Sequence, residues 1–151
     1  MKAVIQRVSK ASVSVNGKTC GSINKGLLVL VGIEEHDEPE DLVWMAEKIC
    51  HLRIFNDEMG VMNHSILQDG GNLLIISQFT LCASTQKGHR PSYIKAAKPE
   101  IAKNMYQDFC TLCRKILNKK PEQGIFGAHM LVELTNDGPV TILLDSKNKK
   151  Q

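Results

Sequence analysis

Residues 2–8 and 11–15 each alternate polar with apolar side chains or run apolar, with β-branched residues in both, a pattern that predicts strands. Asn16-Gly17 follows. Both central positions of a tight hairpin turn need positive φ, which this dipeptide tolerates, so residues 18–23 are expected to return as the next strand. Residues 27–33, LLVLVGI, are apolar without alternation, which predicts a strand buried on both faces and central in its sheet.

The period then lengthens. Asp37 and Glu40 read as a capping pair with Pro39 in the first helical turn, where its missing N–H does no harm. Leu42, Ala46, Ile49 and Arg53, flanked by Val43 and Cys50, give the helix one buried face up to about Leu52. Asp69-Gly70-Gly71-Asn72 predicts a turn into an apolar strand at 73–76, which delivers Ser77-Gln78-Phe79-Thr80-Leu81 at its end. After an irregular stretch at 84–98, Pro99 opens the longest helix. Its expected face is Ile101, Met105, Phe109, Leu112 and Ile116, with Ala102, Tyr106, Cys113 and Leu117 beside it, and Lys119-Lys120-Pro121 ends it. Two last strands, 130–135 and 140–144, are separated by Asn136-Asp137-Gly138-Pro139. The expected architecture is one α+β domain over residues 1–145, a curved sheet covered by helices, followed by a Lys-rich tail at 146–151 that reads as disordered.

Composition narrows the function classes only modestly. A chain of 151 residues, 42% hydrophobic and 23% charged, is long enough to bury a core as a single domain. No apolar run approaches the roughly 20 residues of a membrane-spanning helix, and the first residues alternate as a strand rather than forming a signal peptide, so a cytoplasmic protein without a membrane partner is expected. Five dispersed cysteines (Cys20, Cys50, Cys82, Cys110, Cys113) fit reduced thiols better than a disulfide scaffold. A net charge of +3 is compatible with an anionic partner and identifies none.

Few constellations suggest chemistry. His36, His51, His64, His89 and His129 show no metal-binding spacing, so neither a metal nor another cofactor is expected. Cys110 and Cys113 have a redox-type spacing but lie late in a helix, which fits core packing. Cys82 and His89 could form a nucleophilic couple, although a packed cysteine and a solvent-exposed histidine account for them more simply; no Gly-x-Ser-x-Gly elbow is present. The polar break at Ser77-Gln78 fits a ligand site at a strand end and fits a strand emerging into solvent, and Phe79 suits either a site or a core. Gly138-Pro139, between two strands, fits a site element and fits an ordinary trans turn. Lys87, His89, Arg90, Lys95 and Lys98 form the densest basic stretch, a loop able to meet phosphates or simply to be solvated.

Ser77-Gln78-Phe79-Thr80-Leu81 and Asn136-Asp137-Gly138-Pro139-Val140-Thr141 together resemble the two signature motifs of the D-aminoacyl-tRNA deacylases, also called D-tyrosyl-tRNA deacylases. The similarity extends to the opening MKAVIQRV, to Leu52-Arg53-Ile54-Phe55 and to Phe126-Gly127-Ala128-His129-Met130, so it covers nearly the whole chain. It implies α/β/β layers, a twofold homodimer, and a site built from one subunit's Ser77, Gln78, Phe79 and Thr80 and the partner's Gly138-Pro139, joined by a cis bond. Arg7, Phe126 and Met130 would hold that loop, and Asn136 belongs to its motif.

The activity implied by the resemblance is hydrolysis of D-aminoacyl-tRNA at its 3′-terminal adenosine, with no cofactor. An aminoacyl ester is already activated, so orienting water and stabilising the oxyanion carry most of the reaction. Main-chain N–H groups near Phe79 and Thr80 would supply the oxyanion contacts, and the adenosine 2′-hydroxyl would be recruited. Chirality would be read by exclusion, the loop carbonyls filling the space of an L side chain, and glycyl-tRNA would then be a second substrate. A related family acting on L-alanyl-tRNA begins its first motif with Pro-Gln-Ala; Ser77 and Phe79 favour the D-specific branch. Two other readings remain beside this one: a non-catalytic RNA-binding module centred on the basic loop, and a thiol hydrolase using Cys82.

Overall fold

The structure, a computed structural model, describes residues 1–150. The alternating runs at its start join into one long strand, β1 (Lys2–Val15), which turns at Asn16 (φ 50°) and Gly17 (φ 77°) into β2 (Lys18–Ile23). The turn therefore has the two positive φ values that Asn-Gly predicts. β3 (Gly26–Gly32) pairs antiparallel with the first half of β1, while β2 pairs with its second half. β6 (Asn72–Ser77) runs parallel to β3 and carries the short β7 (Glu122–Gln123) on its other side. β8 (Leu131–Asp145) pairs along nearly all of β1. The result is a six-stranded mixed sheet with β3 central, as the unbroken apolar run implies.

Two cores follow from this arrangement. Leu27, Val29, Val31, Leu73 and Ile75 point towards α1 (Pro39–His51) and α3 (Pro99–Leu117), whereas Leu28, Leu74 and Ile76 meet Val8, Ala11, Val13 and Ile23 from the far half of the sheet. Both β3 and β6 thus bury both faces, alternate side chains serving opposite cores. The helices lie on one side of the folded sheet, consistent with a single α+β domain.

Several expected details shift. The cap of α1 is Glu38 with Asp41, one residue beyond Asp37 and Glu40. Asp37 is engaged elsewhere, its carboxylate taking the N-terminal ammonium of Met1 and the Glu34 N–H. The buried face of α1 is Leu42, Met45, Ala46, Ile49 and Cys50; Val43 is half exposed, and Arg53 lies past the helix end. In α3 the expected face packs on the core, centred on the buried Tyr106, Phe109, Cys110 and Cys113 with Met105, Leu112 and Ile116 partly buried at its margin, and only Ile101 departs from it, 54% exposed. Residues 130–145 do not form two strands around a turn. β8 is one strand in which Asn136 and Thr141 still pair with Val8 and Gln6, so that Asp137, Gly138, Pro139 and Val140 bulge out opposite Arg7.

The hairpin β4 (Phe55–Asn56) and β5 (Met62–His64) and the short helix α2 (Ile66–Asp69) are not apparent in the periodicity. At the start of the segment assigned to the Lys-rich tail, Ser146 is buried and bonds to Met1, and Lys147 reaches the Asp41 carboxylate at 2.6 Å. Burial acts to raise the Asp41 pKa, but the Lys147 ammonium and the Glu38 N–H outweigh it and bring the carboxyl down to about 2. Gln151, the last residue of that tail, lies outside the described residues. Among the described residues no helix is long and apolar enough to cross a membrane.

Candidate active site

β6 ends at Ser77, and the chain turns at once. Gln78 keeps one strand-like bond, its N–H donating to the Val31 carbonyl at 2.7 Å, and Phe79–Cys82 then form a single 3-10 turn. The N–H groups of Phe79 and Thr80 open this turn and have no acceptor within it, while Leu81 and Ala83 donate back to Gln78 and Thr80. The Gln78 amide donates to the Thr80 hydroxyl. A side chain on Gly32 would press against this turn: a Cβ there would lie 2.9 Å from the Gln78 carbonyl oxygen and 3.0 and 3.1 Å from Leu81 Cβ and Cys82 Sγ. Gly32→Ala is accordingly expected to push the turn outward and lower kcat with a smaller change in melting temperature; an unchanged kcat would show that the turn's placement is not critical.

Beside the turn is a cavity of about 660 Å³. Ser77, Gln78 and Phe79 line it, together with Phe126 and Met130 and, from the entry to α3, Tyr93, Ala97 and Lys98. Phe79 is 59% exposed and meets the Tyr93 ring edge-on at 5.1 Å, so it belongs to the cavity mouth and not to a core. Phe126 packs on the buried Tyr106 at 5.9 Å, whose hydroxyl donates to the Ile75 carbonyl at 2.7 Å. Thr80 lies next to the cavity through its bond with Gln78 but does not line it.

The Gly138-Pro139 bulge stands apart from this cavity. Its peptide bond is cis, and both residues are exposed. Arg7, 9% exposed, holds the bulge from beneath: Nε donates to the Asp137 carbonyl at 2.9 Å, and Nη1 donates to the Ile54 carbonyl at 2.7 Å and to Asn56 Oδ1 at 3.3 Å. Asn136 clips its base, accepting from the Val140 N–H at 2.8 Å and donating to the Thr141 hydroxyl at 3.1 Å. Phe126 and Met130 border the cavity instead of this bulge. The sequence pattern therefore assembles two clusters on one chain: Ser77, Gln78, Phe79, Thr80, Phe126 and Met130 in one, Arg7, Asn136, Gly138 and Pro139 in the other. It assigns no role to Gly32, to Tyr93 or to the Ile54 and Asn56 acceptors. Of these, Gly32 carries a signal as a glycine interrupting an apolar strand, and Ile54 lies in the Leu52-Arg53-Ile54-Phe55 segment that shares the family resemblance.

The thiols are poorly placed for nucleophilic work. Cys82 is buried, its Sγ lies 3.5 Å from the Ile33 carbonyl, and burial with the Glu34 carboxylate pushes its pKa up to about 11. His89 is exposed on the basic loop. Cys110 and Cys113 are core residues, and burial pushes Cys110 up to about 12. Among the described residues no group of three or more His, Cys, Asp or Glu is arranged to hold a metal ion.

Comparison with known proteins gives a consistent pattern. The family described as D-Tyr-tRNA(Tyr) deacylase matches residues 4–145. The chain is 61% identical over 150 residues to the D-aminoacyl-tRNA deacylase of Bacteroides thetaiotaomicron and 57% identical to that of Flavobacterium psychrophilum, in each case covering 99% of this chain and 100% of the relative. Among solved structures it resembles a c-Myc DNA Unwinding Element Binding Protein, with a TM-score of 0.92, 41% identity, and coverage of 96% of this chain and 98% of that one. It also resembles a probable eukaryotic D-amino acid tRNA deacylase at a TM-score of 0.82, covering 95% and 97% of the two chains; at 16% identity this is a likeness of fold.

Proposed function

The chain belongs to the D-Tyr-tRNA(Tyr) deacylase family, and from that premise we propose that it hydrolyses the ester of D-aminoacyl-tRNA in a site shared between two subunits. The observation that carries this reading is the coincidence of Ser77, Gln78 and Phe79 with a large apolar-walled cavity, in a chain 61% identical to a D-aminoacyl-tRNA deacylase. The 3′-terminal adenosine enters the cavity between Phe79, Phe126 and Met130. Water adds to the ester carbonyl carbon, and the resulting oxyanion is met by the Phe79 and Thr80 N–H groups. The bond from carbon to the ribose oxygen then breaks, that oxygen takes a proton, and a free D-amino acid and tRNA leave. One well-placed oxyanion donor contributes about 2.7–4 kcal/mol to such a step. Ser77 and Gln78 orient the substrate, and the adenosine 2′-hydroxyl assists the water.

Selection falls to the second cluster. Because Gly138 and Pro139 lie outside their own chain's cavity, the partner's bulge is the one that closes it, held out by Arg7 and Asn136. β8 is an edge strand with Leu131, Leu134 and Leu143 exposed, at 61%, 37% and 62%, which supports a twofold homodimer through this side of the sheet. The loop carbonyls occupy the space an L side chain would need, so L esters are rejected, while D esters and glycyl-tRNA are accepted. The enzyme works in the cytoplasm, where its thiols stay reduced.

The test is hydrolysis of matched D- and L-tyrosyl-tRNA by the purified protein before and after thiol alkylation under native conditions. Cleavage of the D ester alone, unchanged by alkylation, is the expected result. Cleavage of neither ester with tRNA still bound would turn the reading into an RNA-binding module, and equal cleavage of both would remove the exclusion mechanism.

A further inference from the structure

Between Gly70 and Pro99 the chain contains no Asp or Glu, yet it holds Lys87, Arg90, Lys95 and Lys98. The last third of this stretch forms one wall of the cavity, through Tyr93, Ala97 and Lys98. The loop is built to stand out from the body: Ser84 and Ser92 exchange backbone bonds at 2.8 and 2.9 Å at its neck, and its root is tied to the chain after β3 by Glu35 N–H to the Lys95 carbonyl and by Ala97 N–H to the Ile33 carbonyl. All four cations are exposed, and among the described residues none has a carboxylate within ion-pairing distance. At the junction of loop and cavity sits Tyr93, 39% exposed, and beside it Ile94, 81% exposed.

A solvated lysine loop needs no such order. Four unpaired cations in a row without one acid repel each other, and anions are the partners that relieve the repulsion. An exposed ring beside them, at the rim of a cavity, is the combination that binds unpaired nucleotides: phosphates on the cations, a base on the ring or the neighbouring apolar side chain. Resting on the deacylase reading, we infer that the loop 84–98 is the track for the single-stranded nucleotides that precede the terminal adenosine. Their phosphodiesters pass Lys98 and Lys95 and then Arg90 and Lys87, and the penultimate base lies against Tyr93 and Ile94. The double-stranded stem is outside this track.

Three substrates carrying the same D-tyrosyl ester separate the possibilities: adenosine alone, the trinucleotide CCA, and full tRNA. The variant is Lys87→Ala/Arg90→Ala/Lys95→Ala, whose side chains do not line the cavity, compared with a charge-reversed Lys87→Glu/Arg90→Glu/Lys95→Glu. For the alanine variant at low salt, kcat/KM is expected to fall on the order of tenfold for the trinucleotide and for tRNA alike, with a further fall for the reversed one. The dependence of log kcat/KM on log salt should flatten by about 0.7 for each phosphate that the variant no longer neutralises. Turnover of the adenosine ester should stay at the wild-type value, which also shows that the variant is folded. A loss confined to full tRNA would move the basic track to the stem and overturn the inference, as would no loss on any substrate or an equal loss on all three. Failure of the wild-type protein to cleave even the adenosine ester would instead strike at the deacylase reading.

Discussion

An Arg7→Met variant is expected to lose both stability and deacylation. The guanidinium is nearly buried and donates to three acceptors on two segments: the Asp137 carbonyl in the bulge, and the Ile54 carbonyl and Asn56 side chain at β4. Methionine fills much of the same volume but leaves these oxygens without a donor. Each unsatisfied buried group costs about 1–3 kcal/mol, and the Ile54 carbonyl, whose bond to Arg7 is buried, stands at the upper end. A total of about 3 kcal/mol corresponds to a fall of roughly 6–12 °C in the melting temperature of a domain this size. Arg7→Lys keeps the charge and loses the fork, so it should fall between the two. Denaturant unfolding with unchanged slope would assign the difference to the folded state. A melting temperature within a degree of wild type would mean that the bulge and the β4–β5 hairpin do not depend on this residue.

The second large effect belongs to Gly138. Its φ of 137° lies where residues with a side chain rarely go, and an added Cβ would stand 2.7 Å from Val140 Cγ2, 3.0 Å from the Val140 nitrogen and 3.1 Å from Arg7 Nη2. Gly138→Ala must therefore move the bulge, the Arg7 side chain, or both. The bulge is exposed, so the loss of stability should be smaller than for Arg7→Met. The loss of function should be larger, because a displacement of about 1 Å in a positioning element is enough for a hundredfold change in rate. With D-tyrosyl-tRNA, kcat/KM should drop on the order of a hundredfold, and the ratio of D to L hydrolysis should fall with it. Wild-type values for both would place the selecting element elsewhere in the molecule.

How far these features could be read from the chain depends on whether neighbours in sequence decide them. Asn16-Gly17 is a local instruction, and the turn obeys it. The unbroken apolar runs of β3 and β6 declare two buried faces wherever they are placed. The cap of α1 is ambiguous in sequence because two acidic pairs overlap, Asp37 with Glu40 and Glu38 with Asp41. The choice is made at a distance, by the Met1 ammonium that draws Asp37 away. α3 carries more apolar residues than its interface can cover, so periodicity gives a wide face without its centre. Ile101 is left 54% exposed on the first turn after the basic loop. β8 reads as two strands around its Gly-Pro motif because the partner that keeps it one strand, β1, lies far back at the start of the chain. The site shows the same limit. The two motifs carry the polar groups and are visible as strings of residues, whereas the pairing of Arg7 with Ile54 and Asn56, which holds the second motif, joins residues far apart in the chain and is not written in the neighbourhood of either.

Arg7 also stands at the place where β1 crosses from one half of the molecule to the other. Its neighbours on the amino-terminal side pair with β3 and serve the helix-covered core; beyond Val8 the strand pairs with β2 and serves the other. A strand shared in this way leaves no seam along which one layer could open while the other stayed shut. The base of the bulge is thus held, through Arg7, by the strand that both cores share. If the bulge is the selecting element, substitution of its Arg7 anchor should change discrimination and stability together, whereas substitution within the exposed bulge, as in Gly138→Ala, should change discrimination at a smaller cost in stability.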